Sequence, residues 1–110
     1  MNSPGFKTCG NKGFHIMFEN GVTLSTQFGP GDYCCNHDEP WDIDQKKDSW
    51  SSPDAEIALW KPTGAWITRD IVKMALGEQI DDDVFGRISP KDWLRVVICA
   101  AQYITPESEK

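Results

Sequence analysis

Asn20-Gly21 stands between two alternating runs, Phe14 to Phe18 and Val22 to Phe28, and this is the clearest local constraint in the chain. Asn-Gly flanked in this way marks a β-hairpin, because both residues tolerate the positive φ that a tight turn demands. Two registers compete. A two-residue Asn20-Gly21 loop sets Phe18 opposite Thr23 and scatters apolar side chains over both faces. A three-residue Glu19-Asn20-Gly21 loop, with Gly21 left-handed, sets Phe18 opposite Val22 and Ile16 opposite Leu24. The second register gathers Phe14, Ile16, Phe18, Val22, Leu24 and Phe28 on one face, and a one-residue slip would turn the whole set to solvent. It is therefore the register expected here. His15, Met17, Thr23, Ser25 and Gln27 then share the opposite, half-polar face.

Ala55 to Trp60 alternates again, Lys61-Pro62-Thr63-Gly64 makes a turn, and Ala65 to Thr68 returns, which reads as a second hairpin. Asp70 to Leu76, closed by Gly77, reads as a short helix with Gly as its stop. Asp81-Asp82-Asp83 reads as a solvated turn. Ser89, Pro90 and Asp92 form an N-cap, a first helical position and a capping-box acid, so the last helix begins there. From Trp93 to Ala101 that helix is apolar over most of its circumference, with only Lys91, Arg95 and Gln102 as a polar strip. Such a helix expects cover on more than one side, the sheet on one and a second subunit on another. The expected fold is α+β: one domain over residues 1–110, with an antiparallel sheet of about four strands packed on a C-terminal helix, assembled as a homo-oligomer.

A length of 110 residues leaves room for one core, and five Trp, five Phe and two Tyr supply large buried surfaces for it. The net charge of -6 argues against DNA, RNA or anionic membranes as partners, since phosphate backbones are gripped by clustered Lys and Arg. Lys46-Lys47 is the sole basic pair and reads as solvated. The first residues lack the basic and apolar regions of a secretion signal, and no apolar run approaches the roughly 18 residues of a membrane span. A cytoplasmic location is expected, with Cys9, Cys34, Cys35 and Cys99 as reduced thiols.

Gly29-Pro30-Gly31 opens a long loop that runs to about Pro53, and loops of that length in small domains are often functional. Cys34, Cys35 and His37, with Cys9 or His15, could in number supply four zinc ligands, but structural zinc favours Cys pairs two to four residues apart. Adjacent cysteines point apart in extended chain, so no metal is expected. Cys34 with His15 or His37 offers a nucleophile and base in name only, without any signature of a lowered thiol pKa. No Walker or dinucleotide glycine fingerprint is present, and no cofactor is expected. Tyr33, Asn36, His37 and Trp41 combine flat rings with amide and imidazole groups, a mixture that suits a small polar aromatic ligand. The plain alternative is a structural loop. Of Arg69, Arg87 and Arg95, one or two would be needed for a phosphate or carboxylate.

Lys12 to Ile16, Phe18 to Val22, Ser25 to Gly29 and Asp32-Tyr33-Cys34, with Ala55 to Trp60 and the Ser-Pro-capped helix, resemble a group of small phage-encoded proteins. Proteins of this kind include anti-defence sponges of the Thoeris anti-defence type, which hold nucleotide immune signals within oligomers. The resemblance implies a non-enzymatic protein of the host-cell cytoplasm that sequesters a cyclic oligonucleotide or cyclic ADP-ribose type of signal. On that reading Phe28, Tyr33 and Trp41 stack on the ligand, Asn36 and His37 bond to base or ribose, and Arg87 or Arg95 contacts phosphate. The alternatives are an inhibitor that docks on a host protein through its acidic surface, and a small cysteine or metal enzyme dependent on His15, His37 or Cys34.

Overall fold

In a computed structural model, residues 3–39 and 48–104 are described. Trp41 and the Lys46-Lys47 pair lie outside them. Five strands form one antiparallel sheet in sequential order: β1 Gly5–Cys9, β2 Gly13–Met17, β3 Thr23–Gln27, β4 Ala55–Trp60 and β5 Phe85–Ile88. Helix α1 (Thr68–Leu76) lies between β4 and β5 in the chain, and α2 (Pro90–Gln102) follows β5. The α+β class is as expected.

The hairpin takes the three-residue loop. Ile16 pairs with Leu24 and Met17 with Thr23, while the Phe18 amide donates to the Val22 carbonyl at 2.9 Å. Gly21 has φ +85°, the left-handed geometry that the register required. Leu24 in turn faces Leu59, and Thr26 faces Ile57, so one face of three adjacent strands becomes continuous and apolar.

Both helices cover that face. Val22, Leu24, Ile57, Leu59 and Ile88 from the sheet meet Ile67, Ile71 and Val72 of the α1 region and Val96 and Ala100 of α2 in one core. Ser89 caps α2, its hydroxyl accepting from the Asp92 amide at 3.3 Å, and Pro90 occupies the first turn. Gly77 stops α1 in the left-handed conformation, its N–H bonded to the Lys73 carbonyl.

Two strands lie where the sequence reading had none, β1 and β5, and one expected strand is absent. Ala65–Thr68 makes a single bridge, Trp60 to Trp66, and then turns into α1. The cause is Thr68: its hydroxyl accepts from the Leu59 amide at 2.9 Å and lies 3.3 Å from the Leu59 carbonyl, which it meets as donor. A side chain thus takes the place of a strand partner. The other half of the same edge is taken by β5, which pairs Ile88 with Ala55 and Phe85 with Ile57.

The C-terminal helix is buried along one stripe only. Leu94 and Ile98 are 55% and 50% exposed, and Met74 of α1 is 61% exposed. The stretch after Pro30 is shorter on regular structure but not structureless: residues 29–39 fold through successive turns, with Gly31 N–H bonded to the His37 carbonyl and Cys34 fully buried.

Candidate functional site

The helices do not seal the apolar face completely. Where the N-terminal turn of α2 passes over β2, β3 and the start of β4, a cleft of about 320 Å³ remains. Phe14, Phe28 and Trp93 form its walls, with Ala55, Ile88 and Pro90 below. Each is placed by register or helix phase: Phe14 and Phe28 share the apolar face, and Trp93 belongs to the first turn of α2. The Trp93 indole N–H donates to the Thr26 hydroxyl at 2.8 Å, and its ring meets Phe14 edge-on at 6.2 Å. These contacts fix the indole plane, so the cleft is shaped before anything enters.

Ser51, Ser52 and Asp54 supply the polar rim. The Asp54 carboxylate accepts from the Cys35 amide at 2.8 Å and the Ser52 hydroxyl at 2.9 Å, and it lies 3.8 Å from an Arg87 guanidinium nitrogen. Its charge is therefore largely answered within the fold. Arg87 itself has φ +55°, which a non-glycine residue adopts at a cost. It sits in a bulge, two steps along β4 facing three along β5, and bulges of this kind redirect side chains.

The candidate ligand residues of the loop come together only in part. Phe28 lines the cleft. The Asn36 side-chain amide donates to the Phe28 and Ser51 carbonyls at 2.7 and 3.0 Å, so it braces the cleft wall. Tyr33 and His37 stack on each other, nearly parallel at 5.3 Å, and His37 bonds to Asp38. Neither ring lines the cleft, although the Tyr33 carbonyl accepts from the Arg87 amide at 2.8 Å. Arg95 stands apart, 59% exposed and 3.7 Å from Asp92 one turn earlier. Phe14, Thr26, Trp93, Ser51, Ser52 and Asp54 were not singled out as site residues by sequence. The hairpin register already placed Phe14 and Phe28 on one face, but only the packing of α2 brings Trp93 beside them.

Cys34 is a buried thiol whose pKa is raised, chiefly by burial, so it is held protonated. Among the described residues no group of three or more His, Cys, Asp or Glu side chains could hold a metal ion, and no helix is long and apolar enough to cross a membrane. No protein-family model, curated protein or solved structure matches the chain.

Proposed function

We propose that the protein is a non-catalytic binder that sequesters a nucleotide-derived signal, of the cyclic oligonucleotide or cyclic ADP-ribose type, by taking its base into the aromatic cleft. The observation that carries this reading is the convergence of Phe14, Phe28 and Trp93 on one opening, rimmed by Ser51, Ser52 and Asp54. A base has two apolar faces and a polar edge, and such a cleft offers surfaces for the first and hydrogen-bonding groups for the second. Arg87 beside the rim is the cation placed to meet a phosphate. The volume falls within the usual range for small-molecule sites. Sequestration needs affinity and copy number, and a domain of this size can supply both without chemistry.

A thermal-shift panel of cyclic di- and trinucleotides, cyclic ADP-ribose isomers and NAD tests the reading on the purified chain. A ligand at about a hundred times its Kd adds roughly 2.7 kcal/mol, a Tm rise on the order of 10 °C. Phe28→Ala removes one stacking wall and is expected to weaken binding by about 1–3 kcal/mol. A flat panel on folded protein would sink the proposal and favour a partner protein, for which the exposed Leu94 and Ile98 are a ready contact.

A further inference from the structure

Met17, Thr23 and Trp60 form a row across β2, β3 and β4 on the sheet face turned away from the core, since Met17 pairs with Thr23 and Thr23 with Trp60. With His15, Lys61 and Pro62 they line a second cavity, of about 160 Å³, beside the β2–β3 turn. Polar and apolar groups share this lining, whereas the aromatic cleft is nearly all apolar.

Thr23 is 3% exposed, and its hydroxyl has no hydrogen-bond partner among the described residues. Neither ring nitrogen of His15 has one there either. Burial, and after it the charge of Lys7 opposite in the β1–β2 register, lowers the His15 pKa. The imidazole is therefore neutral near pH 7, with one nitrogen to donate and one to accept. Lys61 has a partner of its own, and among the described residues no carboxylate lines the cavity. The groups that await a partner are thus neutral, and each both donates and accepts.

Nothing in such a lining selects a charged ligand, and a purely apolar one would leave the buried hydroxyl unanswered. Ligand hydroxyls, which also donate and accept, satisfy it in either sense. The apolar share of the lining is chiefly Trp60, held nearly perpendicular to His15 at 5.1 Å and to Trp66 at 5.5 Å, with Met17 and Pro62. A sugar ring carries hydroxyls around its rim and C–H groups on its face. The negative face of an indole attracts such C–H groups. We propose that this cavity is a second binding site, for one neutral sugar ring, with its C–H face on Trp60 and its hydroxyls bonded to Thr23 and His15. A volume half that of the aromatic cleft suits one ring and excludes a whole nucleotide.

Methyl glycosides of glucose, galactose and mannose, each titrated into the full chain and followed by His15 ring resonances and tryptophan fluorescence, test this. Glucuronate and benzamide serve as the charged and the aromatic comparator. Saturable binding of at least one glycoside is expected, with both comparators weaker. Thr23→Val keeps the shape and removes the hydroxyl. Its glycoside affinity is expected to fall about tenfold while its Tm stays equal or rises, since a buried unpaired group has gone. Phe28→Ala, on the opposite face, is expected to leave glycoside binding unchanged, so this site and the nucleotide cleft fail or succeed separately. Absence of a saturable response to all three glycosides, meaning a cavity that holds water only, overturns the proposal. Unaltered affinity in Thr23→Val overturns it as well, as does tighter binding of glucuronate or benzamide.

Discussion

Asn20 was legible as a turn residue, and in the structure it is also a helix cap. Its side-chain oxygen accepts from the Val22 amide at 3.1 Å, and its nitrogen donates to the Ala100 and Tyr103 carbonyls at 2.9 and 2.8 Å. The last carbonyls of α2 have no partner within the helix, so this one side chain joins the hairpin turn to the helix end. Asn20→Ala is expected to cost about 1–3 kcal/mol in urea unfolding. Asn20→Asp should do no better, because it keeps the bond to Val22 but places an anion against the negative end of α2. Glu56 offers a pH-dependent counterpart. Burial raises its pKa, the Asp32 and Asp82 carboxylates add to the rise, and the Tyr33 amide opposes it through a 3.1 Å bond. The folded state therefore holds this proton more tightly than the unfolded chain. The stability it contributes is complete in acid and is lost as pH rises through the raised value. Glu56→Gln is expected to match wild type in acid and to exceed it in Tm near neutrality. A Tm difference that does not change with pH would contradict this.

At the scale of elements, β5 is the strand whose local sequence conflicts with its position. Phe85-Gly86-Arg87-Ile88 contains a glycine and a left-handed arginine, both unfavourable in a regular strand. Tertiary contacts explain both. A Cβ on Gly86 would come within 2.5 Å of the Tyr33 Cβ, and the Arg87 amide is needed by the Tyr33 carbonyl. The loop that holds Tyr33 and Asn36 thus packs onto the bulge. Arg87→Gly relieves the left-handed strain and loses an exposed 3.8 Å ion pair with Asp54, which is worth little. Added freedom in the unfolded chain offsets part of the relief. Stability is expected within about 1 kcal/mol of wild type, while affinity for any phosphate-bearing ligand in the cleft falls. Parallel denaturation and binding curves of the variant check both halves.

At the scale of the whole molecule, the two faces of the sheet are used differently. One is covered by helices except at the aromatic cleft; among the described residues no helix covers the other, which carries the smaller cavity. On the outer side of α2, Leu94 and Ile98 form an exposed apolar pair one turn apart. A two-fold contact brings such a stripe against itself, apolar on apolar. Self-association through this stripe is the form in which the homo-oligomer expected from the sequence would assemble. Light scattering of wild type and Leu94→Lys tests it. The variant is expected to become monomeric with its Tm lowered only in so far as the interface had stabilised the fold; a monomeric wild type would refute it.

What the sequence determined by itself was everything fixed by local periodicity and capping. The hairpin register followed from Phe18, Val22 and Leu24, because a slip would have exposed them all. Both helix ends that mattered, Ser89 and Gly77, announced themselves through cap chemistry within a few residues. What the tertiary structure decided was where those elements meet. Thr68 turned an expected strand into a helix start because Leu59 was there to receive its hydroxyl. β1 and β5 became strands because β2 and β4 each had an edge to pair with, and in β5 this prevailed over a glycine and a left-handed arginine. The cleft depended on Trp93 arriving over Phe14 and Phe28 from far along the chain, and no local pattern records an encounter between residues so distant.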